Sequence, residues 1–156
     1  MFSFLKKNES FKVVACANGK CIKLSDVNDR VFSQKMMGDG FAIIPNADLI
    51  ASPVTGTVEM IFPTKHAIGL KTKEGIELIL HIGLDTVNLN GEGFTVLVKE
   101  KSKVRAGDSL VRINRSVLIE KGYDLSTIVV FTNGYEKEVE LSCYGDEVKI
   151  GDLLIG

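Results

Sequence analysis

His66-Ala67-Ile68-Gly69-Leu70-Lys71-Thr72-Lys73-Glu74-Gly75-Ile76-Glu77-Leu78-Ile79-Leu80-His81 reads as two β-strands joined by a short polar turn, with a histidine at each end. If the turn centres on Lys73-Glu74, antiparallel partners sum to 147 and His66 faces His81. Directly opposed residues on one face hold their Cβ atoms roughly 5 Å apart. Centring the turn one residue later makes the two histidines diagonal neighbours on the same face, because side chains alternate with period two. Only an odd-length loop would separate them. These are the chain's two histidines. Two imidazoles held by a rigid hairpin can share a metal, a proton or a phosphoryl group.

The faces of the hairpin follow from alternation. Ile76, Leu78, Leu80 and Ile82 form a wholly apolar face and must be core, which leaves Glu77, Ile79 and His81 pointing outward. Phe62, Thr64, His66 and Ile68 share one parity on the first strand, although Pro63 interrupts the ladder. A single histidine on a strand is ordinarily a satisfied polar residue. Two facing histidines flanked by Phe62 and Ile79 make instead an apolar patch around polar groups, the signature of a docking surface.

Strand-like runs extend the pattern outward: Phe11–Cys16, Gly40–Ile44, Gly56–Ile61, Ala67–Lys71, Ile76–Ile82, Phe94–Val98, Ser109–Ile113, Thr127–Phe131, Glu138–Cys143 and Leu153–Ile155. One helix is expected over Arg115–Lys121, ending before Gly122. Val104-Arg105-Ala106-Gly107-Asp108-Ser109-Leu110 is echoed by Val148-Lys149-Ile150-Gly151-Asp152-Leu153-Leu154, a tight turn that returns the chain to a sheet. The expected fold is all-β: an antiparallel sandwich or barrel-like sandwich with a duplicated hairpin motif and one or two short helices. Gly38-Asp39-Gly40 lacks the strand-then-helix context of a dinucleotide loop. Asn88-Leu89-Asn90-Gly91-Glu92-Gly93 is a loop that needs positive φ at its glycines.

At 156 residues, the chain suits one core. Residues 1–10 are expected to form a flexible tail that could touch a membrane only weakly, and residues 11–156 a single domain. A net charge of −1 gives no case for nucleic acid. No signal peptide and no apolar run near bilayer length is present, and three cysteines are an odd number, which points to reduced thiols in the cytoplasm. Cys16 and Cys21 flank Asn18-Gly19, a hairpin signal, and read as buried hydrophobes rather than half of a zinc site.

Three stretches carry a family signature: Val31-Phe32-Ser33-Gln34-Lys35-Met36-Met37-Gly38-Asp39-Gly40, Thr64-Lys65-His66-Ala67, and His81-Ile82-Gly83-Leu84-Asp85-Thr86-Val87 through Gly91-Glu92-Gly93-Phe94. The chain resembles the glucose-class enzyme IIA of the bacterial phosphoenolpyruvate:sugar phosphotransferase system, from about Val13 onward. The resemblance implies a β-sandwich with a duplicated hairpin. It also implies a phosphohistidine relay: a histidine-containing phosphocarrier protein donates, and a cysteine on the IIB domain of a sugar permease accepts. His81 would be phosphorylated on Nε2, His66 would donate to the phosphoryl oxygens, and Thr64 would orient His66. Val31, Phe32, Met36, Met37, Phe62, Ile79 and Val87 would form the surface both partners pack on, with Asp29 and Asp85 meeting a basic donor residue. Neither cofactor nor metal is implied, a monomer is expected, and the permease would be a separate chain.

Two other classes compete. A zinc hydrolase would need three protein ligands, with Glu77, Asp85 or a cysteine joining the histidines. A lipoyl-type carrier would want a lysine at a hairpin tip, where Lys73 and Lys20 stand without a flanking signature.

Overall fold

The computed structural model describes residues 11–156; the expected tail over residues 1–10 lies outside the described residues. Alternating apolar residues build thirteen strands among them: β1 Val13–Val14, β2 Gly19–Lys23, β3 Asp39–Pro45, β4 Leu49–Ala51, β5 Gly56–Ile61, β6 Ala67–Lys71, β7 Glu77–Ile82, β8 Phe94–Val96, β9 Lys103–Val104, β10 Ser109–Ile113, β11 Thr127–Asn133, β12 Glu147–Val148 and β13 Leu153–Ile155. Eight form one antiparallel sheet in the order β12-β2-β3-β11-β7-β6-β5-β9; β4-β10-β8 and β1-β13 form two smaller sheets. Two short helices, α1 (Arg30–Ser33) and α2 (Arg115–Glu120), complete the fold. The expected all-β sandwich with short helices is the architecture found.

The repeat read from the sequence is a repeat of structure. In each copy the aspartate carboxylate accepts from the backbone three residues back, Arg105 N to Asp108 and Lys149 N to Asp152, both at 2.8 Å. Each turn also receives a crossing strand. Ser52 N donates to Asp108 O while Gly107 N donates to Ser52 O; Ala15 N donates to Asp152 O while Gly151 N donates to Ala15 O. Gly107 and Gly151 hold φ of +94° and +93°, a turn geometry that a side chain resists.

The main core fills the space inside the sandwich. Leu78, Leu80 and Ile82 of β7 lie in it with Ile68 and Leu70 of β6, Phe41 and Ile43 of β3, and Leu110 and Ile113 of β10. Each fully buried aliphatic side chain contributes about 1.5–3 kcal/mol. A smaller cluster of Leu24, Val27, Phe32, Ala42, Leu84, Ile128 and Val130 is separate from it. It forms where the segment carrying α1 folds over the outward face of β3 and β11. That segment gives the eight-stranded sheet a second covered side next to His81.

Several sequence expectations are corrected. Glu138–Cys143 forms no strand: Val139 and Leu141 are buried in strand-like alternation, but Val139 N is satisfied by the Asp39 carboxylate at 2.8 Å instead of a neighbouring strand. Phe11–Cys16 shortens to Val13–Val14, because Val14 N and Ala15 N go to Pro53 O and Asp152 O. Asn18-Gly19 is no hairpin turn, since β1 pairs β13 while β2 pairs β3 and β12. Asn18 ties segments together instead, accepting from Asn46 N through its carbonyl and from Ile150 N through its side chain. Cys16 and Cys21 are buried free thiols, as read.

Candidate functional site

His66 and His81 meet, though by a different route from the one the strand pattern implies. The register of β6 on β7 pairs Ala67 with His81, so partners sum to 148 and Lys71 faces Glu77 across a five-residue loop. That is the odd-length loop which, by alternation alone, sends His66 to the core side. Ile68 shows the effect: its sequence parity puts it outward, yet it is fully buried opposite Leu80. His66 escapes because it is a loop residue. Phe62 N donates to Ala67 O (3.0 Å) and Lys65 N to Phe62 O (2.8 Å), closing a tight loop over residues 63–66 between β5 and β6. Lys65 takes φ +63°, and Ile82 N donates to His66 O at 2.7 Å. The ring therefore leaves the alternation of the strand and turns toward His81.

The two imidazoles stand almost perpendicular, with centroids 4.9 Å apart and planes at 85°. Phenylalanines close the row. Phe32 packs on His81 at 4.9 Å, and Phe62 meets His66 edge-on at 5.7 Å. His66 is only 5% exposed. Its Nδ1 lies 2.7 Å from Thr64 Oγ1. Among the described residues, the sealed side-chain nitrogens and oxygens without a partner are His81 Nδ1 and Arg115 Nε. Neither histidine Nε2 is among them, and none of the hydrogen bonds of these rings uses it. Both rings thus keep one nitrogen inside and leave Nε2 reachable from outside.

Burial sets the protonation state. Taking the ring out of water pushes His81 down to about 4, the neighbouring His66 pushes the same way, and the Gly83 backbone, Asp29 and Asp85 oppose. His66 is lowered too, chiefly by burial. Both imidazoles are therefore neutral at pH 7, each with one nitrogen lone pair.

The surroundings sort the other candidate residues. Val31, Met36, Met37 and Val87 are exposed, Met36 at 69%, so the paired methionines are surface and not core. Phe62 and Ile79 are half-buried. Phe32 is buried, because α1 turns it down into the smaller cluster and against His81; it underlies the surface instead of lining it. The Asp29 carboxylate caps α1, accepting from Val31 N at 2.9 Å. Asp85 is exposed with φ +59°, two residues after Gly83, itself at φ +79°. Met60 extends the apolar rim: it is exposed and pairs with Gly69, which in turn pairs with Ile79. Sequence reading missed it, although the missing side chain at Gly69 was a usable signal. The single turn of α1 was missed as well, since four residues are too few to show a helical period.

Among the described residues, no carboxylate or thiol is placed to complete a three-ligand metal site with the pair, Asp85 included. Glu77 is four residues from His81 along β7, roughly 13 Å away, and bonds Asn133 Nδ2 at 3.0 Å. Cys16 and Cys21 belong to the main core. Among the described residues no group of three or more His, Cys, Asp or Glu side chains is placed to hold a metal ion. A cavity of about 980 Å³ lies at the far end of the same hairpin, lined by Lys71, Thr72, Lys73 and Glu74 among others and by neither histidine. The histidine rings are largely buried and reach the surface through their Nε2 edges, away from that cavity, where a protein rather than an enclosed small molecule can meet them.

A β-sandwich presenting two reachable imidazole nitrogens inside a rim of exposed methionine and valine is a surface of the protein-docking, group-carrying class. The chain belongs to the EIIA 1 family of the phosphoenolpyruvate-dependent sugar phosphotransferase system, whose model matches residues 11–137. It is 44% identical over 147 residues to the glucose-specific EIIA component of Mycoplasma capricolum, covering 94% of this chain and 95% of that protein. It is 52% identical over 128 residues to the glucose-specific EIICBA component of Streptococcus pneumoniae, of which it spans only 18%. Among solved structures, the glucose permease IIA from Mycoplasma capricolum matches with a TM-score of 0.84 at 44% identity, over 92% of this chain and 93% of that one. The glucose-class resemblance read from the three motif stretches is borne out, and the chain is an EIIA component of the sugar phosphotransferase system.

Proposed function

We propose that this protein carries a phosphoryl group in the cytoplasm, as a single domain over residues 11–156. A histidine-containing phosphocarrier protein donates the group to His81 Nε2, and a cysteine on the IIB domain of a sugar permease takes it. The observation that carries this reading is the perpendicular imidazole pair, open at Nε2 and ringed by exposed apolar side chains.

The roles follow from the ring chemistry. With its proton on the buried Nδ1, neutral His81 has its lone pair on Nε2. That nitrogen attacks phosphorus in line as the donor nitrogen leaves. When the Thr64 hydroxyl donates to His66 Nδ1, His66 holds its own proton on Nε2. It can then donate to equatorial oxygens that gather charge in the transition state. Two neutral rings hold the dianion without neutralising it, so the group can leave again. Val31, Met36, Met37, Phe62, Ile79 and Val87 form the docking surface over a Phe32 base, and flexible methionines suit two differently shaped partners. Asp29 and Asp85 place negative charge beside His81, ready for a basic donor residue. The carrier is expected to act as a monomer.

His66→Gln is expected still to accept a phosphoryl group but to pass it on at least roughly 100-fold more slowly, within the range for loss of one oriented donor. Stopped-flow transfer to the IIB domain reads this, and unimpaired transfer would remove His66 from the mechanism. Acceptance should also stay level from pH 8 to pH 6. A histidine at the ordinary value of about 6.5 would be roughly three-quarters protonated at pH 6 and slowed to match, whereas His81, lowered to about 4, stays neutral. A fall of that size above pH 6 would contradict the burial argument.

A further inference from the structure

Lys65 occupies a left-handed backbone conformation, φ +63°, next to His66. Glycine, asparagine and aspartate tolerate that region; a long side chain there needs an outside hold. The hold is visible. The aliphatic stem of Lys65 lies across Gly91, where an added methyl carbon would fall 3.2 Å from Lys65 Cδ, 3.5 Å from Cε and 3.6 Å from Cγ. Gly91 has φ +90°, in the loop that follows the turn Thr86–Leu89. The exposed Lys65 side chain thus joins the two loops through its stem, which lies in the space that the missing Gly91 side chain leaves. Without the left-handed turn, chain running back from Ala67 would continue β6, and the Ala67–His81 register would send His66 to the core side.

We infer that Lys65 is a positioning residue: its left-handed backbone, clamped by its stem on Gly91, sets the His66 ring against His81. The charge of the lysine plays no part in this role. The kinetic consequence rests on the phosphoryl-carrier reading above; the ring placement does not.

Lys65→Val, Lys65→Asn and Lys65→Met separate the parts. Valine resists the left-handed region, asparagine accepts it, and methionine keeps a stem without the charge. Two readouts are needed: the imidazole ¹⁵N signals of His66, which report its tautomer and Thr64 bond, and the rate of onward transfer to the IIB domain. Lys65→Val should shift the His66 signals and slow onward transfer about tenfold or more, as a misplaced group does. Lys65→Asn and Lys65→Met should restore both. If Lys65→Val does not fold, Lys65→Ala takes its place with the same expectation. Unchanged His66 signals in Lys65→Val, or slow transfer in Lys65→Met, would overturn the inference. Should wild-type protein accept no phosphoryl group at all, the carrier reading fails, while the ¹⁵N signals still decide the role of Lys65.

Discussion

His81→Ala is expected to accept no phosphoryl group from the phosphorylated donor and to remain folded. The loss is expected to be complete because no other described side chain offers an open, neutral nitrogen beside His66. The fold should survive, since the His81 neighbours across the sheet, Ile128 and Ala67, are held by their own strands. His81 also costs the folded state something. Its Nδ1 is buried without a partner, and an unpartnered buried polar group is destabilising by roughly 1–3 kcal/mol. Removing the ring should therefore leave thermal stability near the wild-type value. Intact-mass spectrometry after incubation with donor reads the first expectation, and a thermal melt reads the second. A phosphorylated His81→Ala protein would place the acceptor elsewhere.

Gly40→Ala should damage the fold more than any site variant. Gly40 pairs with Val130 between β3 and β11, inside the eight-stranded sheet. An added Cβ would lie 1.8 Å from Val129 O and 2.9 Å from its carbonyl carbon, both backbone atoms that cannot rotate aside. The strands would have to part where Ala42, Ile128 and Val130 support the α1 segment and, through Phe32, the His81 ring. A loss of about 3 kcal/mol or more is expected, among the large effects for one substitution. Urea unfolding measures it. A change within ~0.5 kcal/mol would mean that β3 and β11 are less tightly apposed than described.

Much of this was legible in the residues because it rests on strict alternation. Leu78, Leu80 and Ile82 are buried while Glu77, Ile79 and His81 lie on the other face. The Gly-Asp repeat was equally readable, since a tight turn needs those residues at those offsets. The motif stretches identified the family because they hold the site's own residues.

What stayed hidden depended on contacts distant in sequence. Val139 and Leu141 alternate as a strand does, but the partner of Val139 N is the side chain of Asp39, one hundred positions away. Strand alternation predicts the histidine pairing from an even turn, yet the turn is odd; the rings meet because His66 lies in the loop before β6, where Lys65 takes positive φ. Nothing in a lysine's type announces positive φ. The second cluster under α1 escaped for a similar reason, because Leu24, Phe32, Leu84 and Ile128 come from four separate segments.

The most direct test is nuclear magnetic resonance of the phosphorylated protein, with ³¹P and with ¹⁵N-labelled histidine. The expected result is one phosphorus bonded to His81 Nε2, together with an Nε2-bound proton on His66 hydrogen-bonded to that phosphoryl group. Phosphorus on His81 Nδ1, on His66 or on a residue other than histidine would contradict it.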